Sequence, residues 1–227
     1  MSLPKPYYDE DGITIFCGDC REILPHLPKV DLVLTDPPYG IAWSKPYLEN
    51  GNGRPPSRVH GGIKNDGDVS VRDEAIQLCR ANRGFVFGSF QAPFPADVKQ
   101  VLIWQKPGDS GLFGTVGGYR RDIEPIFMIG RWQVESVKMS SVLHGKPMFR
   151  GHAAQENGSH PHAKPVDLIS QLIQSTDAQT ILDPFMGSGT TLVAAKQLGR
   201  RAIGIELEEK YCEIAVQRLA QKVLQLA

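Results

Sequence analysis

The sequence predicts an α/β fold: a mostly parallel sheet of seven strands, helices on both of its faces, and an antiparallel hairpin at one edge. Three observations predict it. Short aliphatic or β-branched runs alternate with amphipathic stretches along the 227 residues, as in chains whose strands are buried on both faces by crossover helices. Two of the strand candidates run directly into proline-rich or glycine-rich turns, at residues 36–39 and 183–189. The composition, 41% hydrophobic and 22% charged, supplies one core for a single domain spanning residues 1–227.

In chain order, 13–16 reads as a strand, 20–26 as a short helix and 31–35 as a strand. The stretch 40–68 is rich in Gly, Pro, Asn and Ser and contains ENGNGRPPSRVHGG. It cannot supply a core, and predicts a mobile surface insert of the kind that carries function. A helix over 71–81 and a strand over 84–88 follow. Strands over 101–104 and 125–129 flank a glycine-rich stretch at 108–118 and are expected to pair as the hairpin. Residues 131–163 have no sustained period. The final part is the clearest: helix 165–175, strand 180–182, helix 190–198, strand 202–205 and helix 208–222.

Net charge is zero, with 25 basic and 25 acidic side chains, which taken whole argues against a polyanionic partner. The distribution argues otherwise. Segments 41–65, 99–121 and 131–165 each carry +3, so the remainder sums to −9. Five of the six His (His60, His144, His152, His160, His162) fall in those segments. Either solvated loops are Lys/Arg-rich, or one basic face meets phosphates. Trp43, Trp104 and Trp132, in or beside the same segments, read as core packing or as base-stacking surfaces. Cys17, Cys20, Cys79 and Cys212 make no disulfide framework, and Cys17-x-x-Cys20 alone lacks the four ligands of a zinc site. With no apolar run of bilayer length and no signal peptide at the start, the expected setting is cytoplasmic, without metal or membrane.

Asp183-Pro184-Phe185-Met186-Gly187-Ser188-Gly189 leaves a strand, turns without Cβ atoms and starts a helix, which suits a ligand lying across the strand ends. It is not a phosphate-binding P-loop, because Thr190 follows Gly189 where a Lys is needed; a dinucleotide fingerprint fails because Leu192 replaces the third Gly. The next strand ends in Glu206, an acid placed to accept both hydroxyl protons of a ribose.

The string DPFMGSGTTLVAAKQLGRRAIGIELEEKYCEIA closely resembles the S-adenosylmethionine-binding motif of DNA amino-methyltransferases. The resemblance implies a Rossmann-like sheet with S-adenosylmethionine as cofactor. Asp183, Phe185, Gly187, Ser188 and the adjoining Gly189 would line the methionine side, and Glu206 would hold the ribose. His162-Ala163-Lys164-Pro165 resembles the family's Lys-Pro segment, which would make Lys164 close the pocket; Gly18-Asp19 resembles its Gly-Asp element near the adenine ring.

Asp36-Pro37-Pro38-Tyr39 ends the strand 31–35. The amine of adenine or cytosine is a poor nucleophile because its lone pair is delocalised into the ring. Acceptors aimed at its two N–H bonds localise that pair for in-line attack on a sulfonium methyl. Asp36 offers a carboxylate, Pro37 and Pro38 fix the direction of a backbone carbonyl, and Tyr39 supplies a flat face for stacking. A base inside a duplex cannot reach such a pocket without flipping out.

Segments 102–107 and 120–127 also resemble family segments, with Ile123 where the family has an aromatic. The motif order resembles the beta group, which implies a target-recognition region at 131–160, short for the family, with the insert sharing its task. Asp before the prolines tilts the expectation to N6 of adenine in duplex DNA. Cytosine N4, an RNA or protein amide, and a silent DNA-binding module are the alternatives. A homodimer and a cognate restriction endonuclease are the further partners that the family implies.

Overall fold

The computed structural model describes residues 3–40, 67–106, 108, 117–132, 139–145 and 164–221. Among these, nine strands form one sheet, where seven were expected. They are β1 (Tyr8–Glu10), β2 (Ile13–Cys17), β3 (Leu32–Thr35), β4 (Arg83–Phe87), β5 (Val98–Gln105), β6 (Ile123–Gly130), β7 (Val142–His144), β8 (Thr180–Asp183) and β9 (Arg201–Glu206). Their order across the sheet is β1-β2-β9-β8-β3-β4-β6-β5-β7. The five strands from β2 across to β4 are mutually parallel.

The two additional strands are the rims. β1 pairs antiparallel with β2, and β7 pairs parallel with β5. Each is three residues long and mostly exposed, too short to show the sustained hydrophobic alternation by which a strand is recognised in a sequence; backbone hydrogen bonds hold them, with Tyr8 and Leu143 packed on the core. The hairpin is also not at the edge. β6 runs antiparallel to both β4 and β5, and β7 covers the outer side of β5.

The helices are α1 (Cys20–Ile23), which runs into a 3-10 turn (Leu24–His26), α2 (Ser70–Leu78), α3 (Val166–Gln174), α4 (Thr190–Gln197) and α5 (Glu209–Ala220). Successive strand residues point to opposite faces, and the core divides accordingly. Ile13, Ile15, Leu32, Leu34, Phe85 and Ile181 pack with α3, α4 and α5. Phe16, Val33, Leu182 and Ile205 pack with α1, the 3-10 turn and Ala75 of α2. This two-sided cover follows from the connections. From β3 the chain moves one way across the sheet to β4, from β8 the other way to β9, and right-handed crossovers then place α2 and α4 on opposite faces. The reversal between β8 and β3 opens a crevice at the strands' carboxyl ends, where ligands of such sheets bind.

Trp104 is buried in the first core, and Trp132 packs on Phe85 with ring centroids 4.9 Å apart. Both serve packing. The insert residues 41–66, Trp43, most of 131–160, and His60, His152, His160 and His162 lie outside the described residues. The two ends of the insert meet: a Cβ on Gly40 would sit 2.6 Å from the carbonyl carbon of Asp68.

Candidate active site

The turn after β3 and the turn after β8 leave neighbouring parallel strands in the same direction, with Leu32 opposite Ile181 and Val33 opposite Leu182. They therefore emerge side by side. The Thr35 hydroxyl at the end of β3 donates to Asp183 Oδ1 at the end of β8, 2.7 Å away and buried. Asp183 also accepts from the Phe185 backbone N–H at 3.1 Å. Burial pushes the Asp183 carboxyl up to about 6, its hydrogen bonds oppose that rise, and the nearby charge of Asp36 adds to it.

Gly187 and Gly189 have φ of +51° and +79°, in the left-handed region that favours glycine. A Cβ on Gly189 would lie 2.7 Å from the Cβ of Ala215, so α5 presses directly on this turn. The Gly187 N–H donates to Glu206 Oε2 at 3.0 Å, and the Glu208 N–H donates to Oε1 at 2.8 Å. Each carboxylate oxygen of Glu206 thus takes one backbone donor and keeps lone-pair capacity for a diol. Burial raises its pKa above the ordinary glutamate value. Next to it, the Gly18 N–H donates to the Glu206 carbonyl at 2.8 Å. Asp19 caps α1 through the Arg21 N–H and binds the Arg21 guanidinium, which lowers its pKa.

Ser188 is buried, and its hydroxyl and carbonyl oxygens both accept from Arg218 Nη1, at 3.0 and 2.7 Å. Arg218, on α5, thereby braces the glycine turn from behind. Phe185 is half-buried against the core on the α1 and α2 side.

The 36–39 turn carries a second constellation. Lys164, buried just ahead of α3, donates to Asp36 Oδ2 at 2.8 Å and to the Tyr39 hydroxyl at 3.0 Å, and pairs with Glu124 Oε1 at 2.8 Å. The Tyr39 hydroxyl also lies 2.7 Å from Asp36 Oδ1 and 2.5 Å from Glu124 Oε1. Lys106 reaches Glu124 Oε2 at 2.9 Å. Burial disfavours the charged forms of Lys164 and Glu124, but their mutual attraction, with Asp36 and Lys106, overrides it; the Lys164 pKa is raised and the Glu124 pKa is held well below the ordinary carboxylate range. Burial and the two carboxylates push the Tyr39 phenol well up.

The predicted residues thus fall into two groups. Asp183, Gly187, Gly189 and Glu206 form one, with Asp19 beside it; Asp36, Tyr39 and Lys164 form the other, flanked by the buried Pro37 and half-buried Pro38. The Thr35 to Asp183 bond joins them. Lys164, expected to close the cofactor pocket, pairs with Asp36. Sequence reasoning gave no site role to Thr35 or Arg218, nor to Lys106 and Glu124, which it noted only within segments that resemble the family's. A lone acid in the apolar run of β6, IEPIFMIG, is a signal by which Glu124 could be found, because a buried carboxylate needs a cation. Nothing in the sequence marks Arg218.

The chain matches the family model described as DNA methylase, for N6 and N4 enzymes, over residues 42–217. It is 48% identical to the Type II methyltransferase M2.LlaDCHI of Lactococcus lactis subsp. cremoris, over 96% of this chain and 93% of that one. The solved PvuII DNA methyltransferase, described as cytosine-N4-specific, is similar with a TM-score of 0.70 at 16% identity, covering 99% of this chain and 92% of that one. The M1.HpyAVI-SAM complex is similar with a TM-score of 0.62 at 24% identity, covering 92% and 100%. These two likenesses show the shared fold.

Proposed function

The chain belongs to the DNA methylase family of N6 and N4 amino-methyltransferases, and on that premise we propose that it methylates the N6 amine of adenine in duplex DNA, using S-adenosylmethionine. The observation that carries the proposal is the meeting of the 36–39 and 183–189 turns at the carboxyl ends of two central strands, bridged by Thr35 and Asp183. The residues fit the cofactor: Glu206 keeps acceptor capacity for the ribose, and the Gly187 to Gly189 turn approaches without side chains. Asp183 and Phe185 would flank the methionine end. Ser188, turned to Arg218, supports the turn from behind. Bound there, S-adenosylmethionine supplies an electrophilic methyl on a sulfonium.

Asp36 and the backbone carbonyl of the prolines would accept the two amine N–H bonds, holding the nitrogen lone pair toward that methyl. The demand is orientation, which a rigid Pro-Pro turn meets. Tyr39 would bound the base pocket. The base would enter by flipping, paying a few kcal/mol of unstacking. Residues 131–160, with the 40–68 insert, are proposed to read the target sequence, and the basic segments to hold the phosphates. No helix among the described residues is long and apolar enough to cross a membrane, and the proposed setting is the cytoplasm, where duplex DNA is the partner.

Two experiments follow. Incubation with methyl-labelled cofactor and mixed-sequence DNA, then digestion to nucleosides, is expected to put the label in N6-methyladenine; label in N4-methylcytosine alone overturns the adenine assignment. Glu206→Ala is expected to weaken S-adenosylmethionine binding by roughly 1–3 kcal/mol, the scale of charged hydrogen bonds left unmade, when measured by calorimetry. Unchanged affinity removes Glu206 from the ribose site.

A further inference from the structure

The polar cluster around Tyr39 is one proton short. Among the described residues it has six close contacts: Lys164 with Asp36, Glu124 and Tyr39, Lys106 with Glu124, and Tyr39 with both Asp36 and Glu124. The Lys164 ammonium supplies three of the protons these contacts need, Lys106 one and the Tyr39 hydroxyl one. With both carboxylates ionised, the sixth contact has none. It is filled when one carboxyl is protonated.

We propose that this vacancy is the seat for the proton that the methylated amine must release, and that Glu124 is the positioning residue that keeps it open on Asp36. The inference rests on the methyltransferase reading above. When the amine lone pair bonds to the methyl carbon, the electron pair of the carbon–sulfur bond leaves with sulfur and the nitrogen becomes cationic. One N–H bond then breaks, its pair returns to nitrogen, and the proton forms an O–H bond on Asp36. That O–H completes a chain in which Asp36 donates to Tyr39 and Tyr39 donates to Glu124.

The direction of the chain is set by charge. Among the described residues, Glu124 faces two ammonium groups, Lys164 at 2.8 Å and Lys106 at 2.9 Å, whereas Asp36 faces Lys164 alone. Glu124 therefore stays ionised and takes the Tyr39 proton across the contact between that hydroxyl and Glu124 Oε1. Asp36, more exposed than Glu124, is left as the end that can receive a proton from substrate. On the neighbouring strand, Asp183 is the further titratable group among the described residues that senses Asp36.

The test is single-turnover methylation of DNA by the full chain and its Tyr39→Phe, Glu124→Gln and doubly substituted forms, across pH, with cofactor affinity measured beside it. Each single variant is expected to lose about a hundredfold in rate, the scale of one acid–base interaction, with cofactor affinity within about threefold. In both, the acid limb of the pH profile is expected to move, because the chain that receives the amine proton is cut. The double variant is expected to be no slower than the slower single, since both cut one chain. Multiplied losses, or a Tyr39→Phe protein with the parent's rate and pH limb, overturn the role. Tyr39→Phe keeps the ring, so it decides the matter even where Glu124→Gln fails to fold. A parent protein that methylates no DNA refutes the underlying activity instead, and is read separately.

Discussion

Asp36→Ala is expected to lower the rate of methyl transfer by about 10²–10³-fold or more, the loss seen when one pre-organised polar group is removed from a reacting centre. Cofactor affinity should stay within about tenfold. The reason for the split is geometric. The Asp36 carboxylate is bonded to Lys164 and faces Tyr39, while Glu206 is held by the Gly187 and Glu208 N–H groups and the glycine turn by the Arg218 guanidinium, none of which involves it. Lys164 keeps a second carboxylate, Glu124, at 2.8 Å, so the substitution does not leave a bare buried ammonium. Single-turnover labelling and binding calorimetry on the same preparation separate the two quantities. An active Asp36→Ala protein contradicts the assigned role.

Asp183→Asn is expected to change stability most, and in a pH-dependent way. Asp183 is almost fully buried, and its carboxyl is pushed up to about 6 from an ordinary value of 3.8. A carboxyl raised on folding is protonated more readily in the native chain, so its favourable contribution is complete below about pH 4 and is lost as pH rises through about 6. A shift of about two units corresponds to about 3 kcal/mol. The near-isosteric amide keeps an acceptor for the Thr35 hydroxyl and the Phe185 N–H and has no charge to bury. Urea unfolding of parent and variant at intervals from pH 4 to 8 should show the variant gaining about 1–3 kcal/mol on the parent across that range. A difference that does not vary with pH rules this account out. The same substitution should weaken binding of the cationic cofactor above pH 6, which gives a physical reason for keeping a carboxylate where it destabilises the fold.

Much of the fold was legible in the sequence because buried strands announce themselves. The β2, β3, β4, β8 and β9 runs alternate between two packed faces, and each lies in the sheet as expected. The rims were not legible, since Tyr8–Glu10 and Val142–His144 are strands by virtue of their neighbours' backbone. At the site, the two motif turns were readable because proline and glycine leave local signatures. The links between turns were not. Lys164 lies 128 positions from Asp36, and Glu124 lies 85 from Tyr39; no spacing rule spans such distances. Lys164 could be placed near a pocket, but which carboxylates it would neutralise depended on how β6 and α3 dock.

Gly40 and Asp68 touch at the base of the insert. Two chain positions that meet in this way make a graft site: the length of the segment between them can change at little cost, since lengthening a loop adds little closure entropy. Evolution, or an engineer, can therefore lengthen or shorten the chain between those two residues while the strands on either side of it in the sequence keep their places.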